Sequence, residues 1–188
     1  EKHTSSIISR NSLKTPSISA DSVREPLVKE MIQKYRNAGI KHYISDFTLD
    51  LGIPTVGILA YDPSTFPEKS EIVWTAGTTP DSQKALSRAL SEVAQLAGDF
   101  NTCSNYMASG LPKLKKIKEA EFITNSETKI NITDLPDISN NNIKIEVQNC
   151  VSILAKKSFE VILINTTHPL LEIPAFYTII PGAHFRER

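Results

Sequence analysis

A chain of 188 residues that is 40% hydrophobic and 22% charged holds enough material for one globular domain and is too apolar to stay disordered. Its 21 basic and 21 acidic residues cancel, so no global field gathers nucleic acid or an anionic membrane, and a nucleotide would have to be held locally. No run of about 18 apolar residues offers a membrane-spanning helix and no basic-then-apolar leader is seen, which makes the cytoplasm the expected compartment.

Glu1-Lys2-His3-Thr4-Ser5-Ser6-Ile7-Ile8-Ser9 reads as the later part of a helix with no cap before it, so more of the domain is expected upstream. Positions 11–22, rich in Ser, Thr and Pro, read as loop. Over 26–38, Leu27, Met31, Ile32 and Tyr35 recur at helical spacing, Lys29, Glu30, Lys34 and Arg36 fill the other face, and Gly39 stands where a helix stops. The period then changes. Tyr43, Ser45, Phe47 and Leu49 alternate along one side of a strand over 43–50, Thr55-Val56-Gly57-Ile58-Leu59-Ala60-Tyr61 has the near-continuous apolar run of a central strand, and 71–75 makes a shorter one.

Thr79-Pro80-Asp81 predicts the start of a helix running to about Gly98, with a hydroxyl cap, Pro at the first helical position and a carboxylate at the positive end of the dipole. Order is weakest over 104–140. There Gly110-Leu111-Pro112 breaks the chain, Lys113, Lys115, Lys116 and Lys118 read as a solvated face, and 122–132 is a strand candidate. A last helix over 142–157 gathers Ile143, Val147, Cys150, Val151 and Leu154 on one face, and apolar strands over 159–165 and 173–180 flank Thr167-His168-Pro169. Helices interleaved with strands, some joined too tightly for a parallel crossover, give an α+β fold with helices packed on a mixed, largely antiparallel β-sheet.

Most recognisable catalytic spacings are missing. Cys103 and Cys150 form no CxxC pair and read as buried or half-buried thiols, and His3, His42, His168 and His184 form no metal-binding pair. Neither a GxxxxGK[ST] phosphate loop, a GxGxxG turn nor a GxSxG elbow occurs. The helix over 79–98 is the most informative segment. At about 100° per residue, Leu86, Ala89, Leu90, Val93 and Ala97 fall on one arc, and Arg88, Glu92, Gln95 and Asp99 on the opposite one. A carboxylate and an amide three residues apart on one helical face can together serve a magnesium ion and a phosphate or base. The same periodicity also describes a plain amphipathic helix, wet face outward, with an Arg88–Glu92 ion pair.

Ala85-Leu86-Ser87-Arg88-Ala89-Leu90-Ser91-Glu92-Val93-Ala94-Gln95 resembles the YcaO-family helix A-L-x-R-A-L-x-E-x-x-Q. Asp46-x-Thr48-x-Asp50-Leu51-Gly52-Ile53-Pro54-Thr55-Val56, Gly77-Thr78-Thr79-Pro80, Thr166-Thr167-His168-Pro169 and Ile180-Pro181-Gly182 stand in the order of that family's other landmarks. The resemblance implies that residues 1–188 form the C-terminal portion of a YcaO-like domain. It further implies ATP- and Mg2+-dependent phosphorylation of a peptide backbone amide, ahead of azoline or thioamide formation. Glu92 would hold magnesium or phosphate, Gln95 would contact the nucleotide, and Arg88 would stand beside the phosphates or behind the metal ligands. Glu1, matching the last Glu of the motif S-x-x-E-x-x-E-R, would join Glu92 at the metal.

Three places depart from that pattern: Lys2 replaces the motif's Arg, Asp99 stands where a basic residue would assist the phosphates, and His184-Phe185-Arg186-Glu187-Arg188 lacks a Pro-rich tail. Lys and Arg differ at a bidentate phosphate site. The 188-residue chain alone is therefore expected to bind ATP weakly, and the other reading is a degenerate peptide-binding or docking module. A peptide or protein substrate, a partner protein and a second copy are the partners implied, with neither nucleic acid nor membrane. Leu86, Leu90 and Val93 should be buried, Glu92 and Gln95 should lie in a cleft or at its rim, and Glu1 should lie near Glu92.

Overall fold

The computed structural model describes residues 1–97 and 114–184. Its elements are α1 (Lys2–Asn11), β1 (Ser17–Ser19), α2 (Pro26–Asn37), β2 (Lys41–Asp46), β3 (Thr55–Tyr61), β4 (Val73–Thr78), α3 (Ser82–Ala97), α4 (Glu121–Thr124), β5 (Lys129–Asn131), α5 (Ile143–Lys156), β6 (Ile162–Asn165) and β7 (Phe176–Ile179). The first five strands make one sheet in the order β4-β3-β2-β1-β5, antiparallel except for the β1–β5 pair. Strands β6 and β7 pair antiparallel in a separate two-stranded sheet. The α+β architecture with a mixed, largely antiparallel sheet is the one expected.

Central strand β3 is buried at six of its seven positions because helices cover both sheet faces. On one face Val56, Ile58 and Ala60 pack with Val28 and Ile32 of α2 and with Leu86, Leu90 and Val93 of α3. On the other, Leu59 joins Trp74 and Ala76 of β4, Ile8 of α1 and Phe122 and Ile123 of α4. Side chains alternate sides along a strand, so an uninterrupted apolar run is stable only when both sides are dry.

Two glycines let these layers close. A Cβ on Gly57 would fall 2.5 Å from the Phe47 ring, and one on Gly77 would fall 2.2 Å from the Ala85 carbonyl oxygen and 2.8 Å from the Ala89 nitrogen. Helix α3 therefore lies directly on the backbone of β4. The Thr75 hydroxyl donates to the Ala89 carbonyl oxygen at 2.9 Å, so the polar atom beneath the helix is satisfied.

Several boundaries differ from the sequence reading, for local reasons. Helix α3 is capped by Asp81 rather than Thr79: Asp81 Oδ1 accepts from the Gln83 and Lys84 N–H groups at 2.8 and 3.2 Å. Strand β2 stops at Asp46, whose carboxylate takes the Thr48 N–H at 2.8 Å, and Leu49 then adopts φ 50°. The strand candidate over 122–132 divides into α4 and β5. Phe122 and Ile123 are both buried, which successive positions achieve on a helical turn more readily than on a half-covered strand. Ser17–Ser19, inside the supposed loop, forms β1 around buried Ile18.

The last helix and strands exist as expected, with β6 and β7 shorter, but their apolar groups are not covered. Ile143, Val147 and Val151 of α5 are 76%, 52% and 38% exposed, and Leu163, Phe176 and Tyr177 of β6 and β7 are also exposed. Cys150 is half-buried, and burial together with the charge of Glu146 pushes its thiol pKa up. Lys115, Lys116 and Lys118 are exposed, as a solvated face requires. Gly98, Asp99, Cys103, Gly110-Leu111-Pro112, Lys113 and the tail 185–188 lie outside the described residues. No described helix is long and apolar enough to cross a membrane.

Candidate functional site

Leu86, Leu90 and Val93 are fully buried beneath α3, and this fixes the rotation of the helix and turns Arg88, Glu92 and Gln95 outward. Arg88 and Gln95 are exposed and Glu92 is half-buried. Helix α1 packs on the opposite sheet face through Ile8, which is completely buried. Its first turn is held by the Ser5 N–H and the Thr4 hydroxyl, which donate to the Glu1 carbonyl oxygen at 3.0 and 3.1 Å.

The start of α1 comes round to meet α3. Arg88 Nε lies 3.9 Å from Glu1 Oε2. Burial pushes the Glu92 carboxyl pKa up, and the charge of Glu1 pushes it further, while Arg88 and Lys2 pull the other way. Residues 91 positions apart thus share one electrostatic cluster, two carboxylates and a guanidinium. Gln95 lies one turn beyond Glu92 on the same side of α3 and is open to solvent.

Arg88 and Lys2 do not fully offset the burial of Glu92 and its repulsion by Glu1, since the Glu92 pKa stays raised. A divalent cation suits such a cluster. No group of three or more His, Cys, Asp and Glu able to hold a metal exists among the described residues. Magnesium is commonly held by one or two carboxylates, its other positions filled by phosphate oxygens and water, so Glu1 and Glu92 fit a cation that arrives with a polyphosphate. Arg88 stands beside this pair with its guanidinium exposed, the kind of group that pairs with phosphate oxygens.

Beside Glu1 opens a pocket of about 170 Å3 that the sequence reading did not find. Glu1, His3, Thr55 and Thr78 supply its polar lining, and Leu51, Ile53, Leu154, Phe159, Ile180 and Ala183 its apolar walls. Thr55 and Thr78 face each other across β3 and β4, their hydroxyl oxygens 2.8 Å apart. The ring of His3 stacks on that of His184 with centroids 5.1 Å apart and meets Phe159 edge-on at 5.2 Å. His3 Nδ1 accepts the His184 backbone N–H at 2.9 Å, and burial holds the imidazole pKa below its ordinary value. These two histidines are 181 positions apart, a distance at which sequence spacing carries no signal.

A family model described as YcaO cyclodehydratase, ATP- and Mg2+-binding, matches residues 1–184. The chain belongs to the YcaO family. ATP and Mg2+ are the cofactors of that family, in keeping with the carboxylate and guanidinium cluster. A heterocyclase solved in complex with substrate and cofactor superposes with a TM-score of 0.81 at 23% identity, over 98% of this chain and 25% of that one. The YcaO protein of Methanopyrus kandleri, bound with AMPPCP and Mg2+, superposes at 0.71 and 21% identity, over 97% of this chain and 49% of that one. An uncharacterized protein of Methanothermobacter thermautotrophicus is 23% identical over 165 residues, which is 83% of this chain and 42% of that protein. The YcaO chain described here thus spans from a quarter to a half of the length of these relatives, and at such identities the superpositions establish the fold.

Proposed function

We propose that this YcaO domain takes part in the ATP- and Mg2+-dependent activation of a peptide backbone amide, leading to azoline or thioamide formation. The observation that carries the reading is half-buried Glu92 within electrostatic reach of Glu1, with Arg88 beside them. When bound, ATP would supply a phosphoryl group to the amide oxygen and depart as ADP, and that oxygen would leave as phosphate once a side-chain or external sulfur nucleophile had attacked the carbon. Glu1 and Glu92 hold the metal, Arg88 neutralises charge on the phosphates, and Gln95 donates to the nucleotide. Support comes from the M. kandleri relative, bound with AMPPCP and Mg2+, and from the heterocyclase bound to substrate and cofactor. A peptide substrate, a partner protein that presents it and a second copy of the chain are the partners this reading calls for.

Phosphate release from the complete gene product, measured with its peptide, ATP and Mg2+, tests the proposal. Wild type should turn over, and Glu92→Gln, which keeps size while removing the charge facing the metal, should abolish turnover with an unchanged circular dichroism spectrum. Equal rates would remove Glu92 from the site. A second reading, a docking module without phosphate chemistry, draws on the exposed β6–β7 pair, whose outer edges pair with no other described strand and could accept an added one. Peptide binding without any phosphate release would favour it.

A further inference from the structure

The pocket beside Glu1 lies where the five-stranded sheet meets the C-terminal elements. Leu51, Ile53 and Thr55 come from the end of the sheet, Leu154 and Phe159 from α5 and the residues after it, and Ile180 and Ala183 from the segment after β7. Its volume of about 170 Å3 is close to that of an apolar cavity known to accept one benzene, roughly 150 Å3. One branched aliphatic or aromatic side chain fills such a space. The lining argues the same way. Six apolar side chains form the walls, and no cationic side chain able to hold a phosphate is among the lining residues, whose acidic member is Glu1. The His184 N–H points at His3 Nδ1, so that nitrogen carries a lone pair rather than a proton.

We propose that this pocket is a substrate subsite that takes one uncharged, apolar side chain of the peptide next to the amide to be activated. The inference rests on the function proposed above for its location, because Glu1 lines the pocket and also stands in the Arg88–Glu92 cluster. Burying a Leu-sized side chain there removes apolar surface from water on both partners. In the absence of metal, an acidic side chain would instead meet the Glu1 carboxylate and lose its hydration. The pocket therefore selects by polarity first and by size second.

The test uses the complete gene product with methyl-labelled Ile and Leu, titrated with N-acetyl-leucinamide, N-acetyl-phenylalaninamide and N-acetyl-aspartamide as probes. The Leu and Phe probes should shift the methyl resonances of Ile53, Leu154 and Ile180, and the Asp probe should bind at least tenfold more weakly. Ala183→Trp, which fills the pocket, should abolish the shifts. Should that variant fail to fold, Leu154→Ala serves instead, enlarging the pocket and moving the preference from the Leu probe toward the Phe probe. A parallel titration of wild type with Mg2+ and AMPPCP separates the two proposals. Nucleotide binding with no pocket shifts, or with equal response to all three probes, overturns the subsite. Pocket shifts without nucleotide binding leave the subsite standing as a peptide site and overturn the ATP reading.

Discussion

Glu92 sits in an environment that works against its own charge. Its folded pKa is raised by burial first and by Glu1 second, so the native state holds the proton more tightly than the unfolded chain does. The linked contribution to stability is fully present below the ordinary carboxylate pKa of 4.5 and is lost as the pH rises through the folded value. Without metal, Glu92→Gln should therefore melt at a higher temperature than wild type at pH 7, and the gap should close when both are melted below pH 4. A variant less stable than wild type at pH 7 would show that the carboxylate is held by a favourable partner instead. Arg88→Lys keeps the charge but loses the planar fork, so nucleotide affinity should fall by roughly tenfold or more, read by calorimetric titration of the complete gene product with Mg2+ and AMPPCP.

What places Glu92 is the seat of α3 rather than the helix itself. Gly77→Ala pushes a methyl group into the Ala85 carbonyl oxygen and the Ala89 nitrogen, both backbone atoms that cannot rotate away. Overpacking of this kind costs about 1–3 kcal/mol, which in a chain of this size is roughly 2–12 °C in Tm, checked by thermal denaturation. Asp81→Ala removes the acceptor for two N–H groups at the start of α3 and should cost about 1 kcal/mol. The burial arc of α3 was legible in the spacing of Leu86, Leu90 and Val93, because a 3.6-residue period over sixteen residues repeats several times. Strand β1 was not legible. Three residues with one apolar group carry no period, and Ser17–Ser19 becomes a strand only because β2 and β5 lie on either side of it.

At the scale of the molecule the two parts differ in how well they are covered. Strands β3 and β4 of the five-stranded sheet are dry on both faces, whereas α5, β6 and β7 present Val147, Leu163, Phe176 and other large apolar groups to solvent. An isolated two-stranded pair is marginal in water, so backbone amides of β6 and β7 should exchange with deuterium well before those of β3 and β4, as followed by mass spectrometry. The same chemical change should have unequal effects in the two parts. Leu90→Ala, at 1% exposure, should cost about 2–5 kcal/mol in denaturant unfolding. Leu163→Ala, at 58% exposure, should stay within about 0.5 kcal/mol. A large effect at Leu163 would mean that another polypeptide covers the hairpin in solution. The Lys157–Asp50 pair joins the two parts at 3.0 Å but is exposed, so it adds little to their union.

Read alone, the sequence determined the class of fold, the central strand and the inward face of α3, since each follows from a local period of apolar residues that water enforces wherever the chain folds. Through its family motif it also pointed to Arg88, Glu92, Gln95 and Glu1 as one group. The tertiary structure decided what these residues feel. Glu92 is half-buried and opposed by Glu1, while Gln95 a turn away is in open water, because α1 and α3 come from opposite sheet faces and the start of α1 reaches α3 at Arg88. The pocket and the His3–His184 stack belong wholly to that level. Their walls come from five separate stretches of the chain, and contact between distant stretches depends on how layers pack, which no local period encodes.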